Sequence, residues 1–307
     1  MFPWSLSKKS TAVVGVEYQS EGMAVVQQEL KDGVPSVSAM DFLRFDGASA
    51  QLLLKAWVEK HRLEKSRCNV VLGADAYQLL LVEPPEVPFE EMREAIRWRL
   101  KDLVSIPVEQ AVVDIFMLPE DGTRSNKKMV YVVAADKAKI KSVIDCVNHS
   151  GLELEAIDII ELAMRNVSQR LICDSMDRGI AIARLRQGSG SVYLFRQGNM
   201  YLARNFALDY NGGLLDDLPE DILALELQRS LDYYERQMGQ VPPSVVYVCG
   251  ENVSEDKIGA TLKSSLAANV QFLDPAATAM VDGEPDNSIL QSCVAALGGA
   301  LRDEQAA

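Results

Sequence analysis

Histidine is almost absent from this chain, with 2 in 307 residues, and the 5 cysteines (Cys68, Cys146, Cys173, Cys249 and Cys293) are scattered with no Cys-x-x-Cys pair among them. Zinc sites need clustered ligands and disulfide frameworks need dense cysteines, so neither is supported and the thiols are expected to be buried. No apolar run approaches the roughly 18 residues of a membrane helix, and the start, MFPWSLSKKS, turns polar too soon for a secretion signal. A cytoplasmic location is expected. Positive charge is scarce as well: 31 Lys and Arg against 44 Asp and Glu leave a net charge of −13. That balance argues against nucleic acid, which needs a basic surface, and against anionic lipid. Lys8 and Lys9 beside Phe2, Trp4 and Leu6 allow at most peripheral membrane contact. Catalytic signatures are missing too. There is no Gly-x-Ser-x-Gly and no P-loop, and Asp216-Asp217 beside Glu220-Asp221 reads as the solvated start of a helix rather than an acid/base pair.

What remains is an ordinary globular composition, 48% hydrophobic and 24% charged, long enough for two domains. The clearest pattern runs from Asp221 to Gly250. Leu223, Leu227, Leu231 and Tyr234 recur at three- and four-residue steps, which predicts an amphipathic helix with Glu226, Arg229, Asp232 and Arg236 off its apolar stripe. Gly239, Pro242 and Pro243 stop it, and Val245 to Val248 form a buried strand ending at Cys249-Gly250. In α/β folds such a strand end is where ligands sit, so Cys249-Gly250-Glu251 is a candidate site.

Near the start, Ala12 to Val16, the polar turn Tyr18 to Gly22 and Met23 to Leu30 read as a β-hairpin. A strand over Val34 to Phe42 and a helix from Ala48 to His61 follow, with Leu52, Leu53, Ala56 and Trp57 as its expected face and His61 as a terminal residue meeting the helix dipole. Cys68 to Leu72 and Gln78 to Val82 are strands. Pro84-Pro85 marks a boundary, beyond which helix, strand, strand, helix and strand to Ile157 form a small inserted α/β unit, with Trp98 and Pro107 as its packing residues. After a hinge at Asp174 to Arg178, strand, polar loop, strand, glycine turn and strand recur between Gly179 and Phe206, which suggests a duplicated fold.

The segment ELQRSLDYYERQMG with its following strand, the segment EEMREAIRWRLKDLVSIPVEQAVVDIF with Trp98, Ile106, Pro107 and Asp114, and the closing Ala296 to Leu301 together resemble the PilM family of type IV pilus assembly proteins, most similar to its MSHA-pilus branch. The resemblance implies an α/β, actin-like fold of the FtsA and PilM type: two duplicated lobes, residues 1–83 with 158–177 and residues 178–307, and an inserted subdomain at 84–157. It also implies a nucleotide cleft, which here departs from the family. Glu17 stands at the acidic position of the first phosphate loop and Ser20 in its turn, but Gln19 replaces a glycine. Arg184 and Arg186 replace the Asp and Gly that open the second loop, ahead of Gly188. The stretch after Gly212-Gly213 is shortened, and only Gly250 remains of a glycine run. An arginine cannot hold a magnesium-bound water and a long side chain fills the space glycine leaves for phosphate, so no cofactor is expected, with ATP and magnesium disfavoured. Arginines could still hold a phosphate without metal.

The partner that the resemblance implies is the N-terminal cytoplasmic peptide of a PilN-like bitopic inner-membrane protein within the pilus assembly platform. Its expected seat is a groove beside the insert near Leu79, Leu81, Val112 and Asp114. Two alternatives stay open: a nucleotide-switched ATPase of pilus assembly, and a GspL-like component of type II secretion.

Overall fold

A computed structural model describes residues 12–125, 127–172, 178–213, 215–283 and 286–303. The N-terminal aromatic and lysine cluster, Cys173 and all but Arg178 of the expected hinge lie outside the described residues.

In chain order the strands and helices are β1 (Val13–Tyr18), β2 (Gly22–Lys31), β3 (Val34–Arg44), α1 (Ala50–His61), β4 (Arg67–Leu72), β5 (Tyr77–Val82), α2 (Phe89–Arg99), β6 (Ala111–Met117), β7 (Val130–Asp136), α3 (Lys137–Ser150), β8 (Glu153–Ile159) and α4 (Ile160–Leu171). The second half continues with β9 (Ile180–Arg186), β10 (Ser189–Arg196), β11 (Asn199–Ala207), α5 (Glu220–Arg236), β12 (Val245–Gly250), α6 (Ala260–Ser265), β13 (Asn269–Phe272), α7 (Pro275–Thr278), β14 (Met280–Val281), α8 (Asn287–Ser292) and α9 (Val294–Ala300).

One sheet runs β14-β3-β2-β1-β4-β8 and another β11-β10-β9-β12-β13. In both, three antiparallel strands lead into two strands parallel to the first. The helix that follows the third strand, α1 or α5, covers the outer face of its sheet. The recurrence suggested by the sequence is therefore a repeat of topology. Alternation within strands splits each sheet between two cores: Met23 and Val25 of β2 face an outer core with α1, whereas Ala24 and Val26 face a central one.

That central core joins the lobes. Met164 and Val167 of α4 and Ala295 and Ala296 of α9 pack there with Ile182 and Tyr193 of the second sheet. The small residues of AALGGA allow unusually close approach. A Cβ on Gly15 would lie 1.9 Å from the Ala296 carbonyl oxygen, and one on Gly298 would lie 2.2 Å from that of Ala163. Asn166 Nδ2 donates to the Gly298 carbonyl at 2.9 Å and Asn69 Nδ2 to that of Gly299 at 3.1 Å, which satisfies carbonyls in a helix too tightly packed for water.

Several expectations need correction. β5 pairs with β7 in a three-stranded sheet, β5-β7-β6, whereas β8 pairs with β4 in the first large sheet. Strand pairing therefore starts the insert at Tyr77 and ends it at Asp136, not at 84 and 157, and α3 packs on α1 in the first lobe. The chain's end also changes sides: β14 pairs with β3 and α9 packs on β1, so residues beyond 280 belong with the first lobe. On α1 the buried face is Leu54, Trp57 and Val58, while Leu52 is 67% exposed. His61 is the last residue of α1, as expected; its ring also packs on Trp57 in a tilted arrangement with centroids 4.8 Å apart, and desolvation, followed by Lys60, lowers its pKa. Trp98 is not a packing residue. It is 86% exposed on α2, whose buried side is Met92 and Ile96. Glu226, expected away from the apolar stripe of α5, is buried between Arg204 and Arg229, each 2.6 Å away.

Adding one methyl at Gly15 forces α9 off β1. Gly15→Ala is expected to cost at least about 1–3 kcal/mol, an overpacking penalty. A denaturation midpoint equal to that of the parent would refute the close contact.

Candidate functional site

β1 and β9 are equivalent strands of the two repeats, and both end at the cleft between the lobes. The fifth residue of each is charged where its neighbours are apolar: Glu17 in VVGVEY and Arg184 in IAIARLR. They face one another. Arg184 Nη2 donates to Glu17 Oε1 at 2.7 Å and to Oε2 at 2.8 Å, and the two side chains are 5% and 0% exposed. Burial opposes the Arg184 charge, but the adjacent Glu17 carboxylate outweighs it, so the guanidinium is held more firmly protonated than in water. Burial also pushes the neighbouring Cys249 thiol up to about 12 in spite of Arg184, which leaves it unreactive.

A second layer closes the mouth of the cleft. Arg186 Nη2 donates to Gln19 Oε1 at 2.8 Å, its Nε donates to Glu251 Oε1 at 3.0 Å, and it lies 3.6 Å from Glu21. Glu251 reaches this position because Gly250 turns the chain at φ 128°, where a Cβ would stand 2.0 Å from the Leu185 carbonyl oxygen. The Glu251 amide then donates to that same oxygen at 3.0 Å, and Glu251 Oε2 accepts from the Gln187 amide at 3.0 Å. Glycine at 250 thus permits a tight backbone crossing.

This bar divides the cleft. On one side is a cavity of about 160 Å³ lined by Gln19, Arg44, Arg184, Asn252 and Gln291 among others; on the other is one of about 400 Å³ with Ser20, Asp75, Glu161 and Tyr193 in its wall. Glu161 opens α4 and accepts 2.5 Å from the Tyr77 hydroxyl, and desolvation raises its pKa.

Of the expected cleft residues, Glu17, Gln19, Arg184, Arg186 and Gly250 come together, and Gly212 abuts Glu251. Gly213 is tied locally to Asp216 and Lys257, at 2.8 and 3.0 Å. Gly188 is a turn glycine at φ 73° pinned to Tyr210, and Ser20 is exposed beyond the bar. Glu21, Asn252, Glu161 and Gln291 escaped the sequence reading. Gln291, whose Oε1 accepts from the Gly250 amide at 3.0 Å and whose Nε2 donates to the Leu273 carbonyl at 2.9 Å, carries no motif that could have marked it.

The four groove candidates share one face of the small sheet, since Leu79 and Asp114 both register with Val133 of the central strand β7. They do not converge. Leu79 and Leu81 are half-buried against the large cores, while Val112 and Asp114 are exposed at the opposite edge, with Asp114 paired to Arg93 at 2.9 Å. The insert is also tied to the second lobe: Tyr131 donates to the Tyr201 carbonyl at 2.9 Å, and Asp121 meets Arg196 at 3.0 Å and the Tyr201 hydroxyl at 2.7 Å.

The chain has the actin-like fold, with its insert and paired lobes. Among solved structures it superimposes on that of a PilM-PilN type IV pilus biogenesis complex with a TM-score of 0.72, at 21% identity over 96% of this chain and 98% of that one. It also superimposes on the cytoplasmic domain of EpsL, an inner-membrane component of the type II secretion system of Vibrio cholerae, with a TM-score of 0.55 at 12% identity over 95% and 96% of the two chains. A protein of Bacteroides thetaiotaomicron with an actin-like ATPase fold and unknown function gives 0.54 at 13% identity over 90% and 95%. No protein-family model and no curated protein matches the sequence.

That fold commonly holds a magnesium nucleotide, and the residues here do not fit one. The acidic residue of the first strand is occupied by Arg184, and Arg186 is held by Gln19 and Glu251. Of the two cavities beside the bar, the one at Gly212 and Gly250 is smaller than the roughly 300 Å³ at which small-molecule sites begin, and the other, of about 400 Å³, lies above it.

Removing one partner of the buried pair leaves an uncompensated charge, so Glu17→Gln or Arg184→Met should each cost about 3–5 kcal/mol, and the double variant clearly less than their sum. Additive losses in denaturant titrations would show that the pair is not coupled. Glu161 gives a pH signature. With its pKa raised by burial, the folded chain keeps a proton that the unfolded chain releases, so stability should fall as pH rises above about 4.3. Glu161→Gln should flatten that fall, and an unchanged slope would contradict it.

Proposed function

We propose that the chain is a non-enzymatic scaffold of the inner-membrane assembly platform of a type IV pilus of the MSHA kind. It acts on the cytoplasmic side of that membrane and receives the N-terminal cytoplasmic peptide of a PilN-like bitopic protein. The observation that carries this reading is the superposition over nearly the whole chain on a PilM-PilN complex, combined with a cleft whose charged residues are consumed by one another. A protein that keeps the shape of a nucleotide switch and fills the switch with its own side chains serves as a fixed body on which partners assemble. Among the described residues no helix is long and apolar enough to cross a membrane; in this proposal attachment runs through the partner.

The type II secretion reading has the weaker superposition, 0.55 against 0.72. The nucleotide-switched ATPase would need Arg184 and Arg186 to release their carboxylate and amide partners on every cycle, and separating a buried ion pair costs several kcal/mol.

Two measurements test the proposal. Calorimetry with ATP and magnesium should give no heat at millimolar ligand, and micromolar binding would overturn it. The N-terminal peptide of the neighbouring membrane protein should bind, and Val112→Asp at the exposed edge of β6 should weaken it at least tenfold, about 1.4 kcal/mol. Failure of the unmodified chain to bind that peptide would remove the partner.

A further inference from the structure

The second lobe carries, at the N-terminal end of α5, an apolar surface that nothing in the described residues covers; the insert meets this helix at its other end, through Arg124 and the Glu235 carbonyl. Leu215 is 94% exposed, and Ile222 and Leu225, one turn apart on the outward side of α5, are 44% and 50% exposed. This side lies opposite the Leu223, Leu227 and Leu231 stripe that holds α5 to its sheet. Beside it runs an open groove of about 670 Å³ between residues 217–222 and 256–261, with Leu218, Pro219 and Gly259 in its floor. Exposed aliphatic side chains gathered at one helix end beside a groove mark an interaction surface more often than chance exposure does.

The charge around the groove names the occupant. Asp217, Asp221 and Asp256 line it, Glu255 adjoins it, and none of the four is ion-paired among the described residues. Lys257 is the only cation in the lining, and it is engaged with the Gly213 carbonyl at 3.0 Å and over the Tyr210 ring at 5.9 Å. Glu220 is likewise committed inward, accepting from the Leu262 amide at 3.1 Å. What is offered outward is an aliphatic strip beside a groove in which Asp217, Glu220, Asp221 and Asp256 outnumber the single Lys257, so the local field is net negative.

We infer that this face docks a basic amphipathic helix of a partner protein, its leucine-like side chains over Ile222 and Leu225 and its lysines or arginines toward Asp217, Asp221 and Asp256. The sign of the field repels nucleic acid and anionic lipid alike. A second copy of this chain, at net −13, would bring like charge to like charge. A basic helix satisfies both halves of the surface: burial of the strip supplies attraction, and the carboxylates set orientation and association rate. The surface is separate from the insert's edge, so the inference stands or falls independently of the peptide proposed above.

The test uses the full chain and a synthetic amphipathic helix of leucine, lysine and alanine, with a scrambled peptide of the same composition as control. At about 0.15 M salt, where the Debye length is only about 8 Å, the amphipathic peptide should bind at least tenfold more tightly than the scrambled one. Ile222→Ser with Leu225→Ser, and separately Asp217→Asn with Asp221→Asn and Asp256→Asn, should each weaken it about tenfold or more. Hydrogen exchange should slow in residues 215–225 and 255–261. Equal affinity for the two peptides, unchanged affinity in both sets of variants, or protection confined to another face would overturn the inference. So would a dimer of the peptide-free chain that the serine variants dissolve, which would assign the strip to a second copy. Every substitution is at an exposed or groove-lining position, and an unchanged circular dichroism melt verifies that the variants fold.

Discussion

Two opposite charges buried face to face between the lobes, Glu17 on one repeat and Arg184 on the other, determine what the rest of the molecule can do. A lone carboxylate at the end of β1 would have to be hydrated or bound to a metal, and a lone guanidinium at the end of β9 would have to hold an anion. Set 2.7 Å apart, they balance each other's charge through Arg184 Nη2, while the buried Arg184 Nε has no hydrogen-bond partner among the described residues. The interaction exists only because the chain repeats its topology, so that the fifth residue of each opening strand arrives at the same cleft from opposite sides.

Around that pair the lobes are fastened in two further ways. The α4 and α9 helices cross through glycine contacts and bury one apolar core against both sheets. The insert, rooted in the first lobe, reaches the second through Asp121 and Tyr131. Opening the cleft would therefore require breaking a buried ion pair, the Arg186 layer and packed apolar contacts together. Such redundancy raises the free-energy cost of any second, open conformation.

How far the sequence could be read depends on the range of the interactions involved. The stripe of α5, the strand that ends at Gly250 and the opening hairpins were legible because helix and strand periods are local properties. The insert's limits were not, because Pro84-Pro85 looks like a boundary from composition, and only the non-local pairing of β5 with β7 puts it inside the unit. Trp98 was misplaced for the opposite reason: apolar character says nothing about which side of a short helix meets the core, and α2 buries only Met92 and Ile96. In the cleft, the replacement of glycine and acid by arginines was visible, but the partner that neutralises Arg184 lies 167 positions earlier in the chain. The arginines themselves could be read, whereas the bonds that hold them could not.

The claim that side chains have taken over the closing role of a bound nucleotide is tested most directly by measuring the distance between the lobes in solution. Spin labels at the exposed positions 32 and 255 would report it, one in the β2–β3 turn and the other beside the groove of the second lobe. The account predicts one narrow distance distribution that is the same with and without ATP and magnesium and broadens when Arg184 is replaced by methionine. A distribution that is broad in the free protein and narrows when nucleotide is added would contradict it.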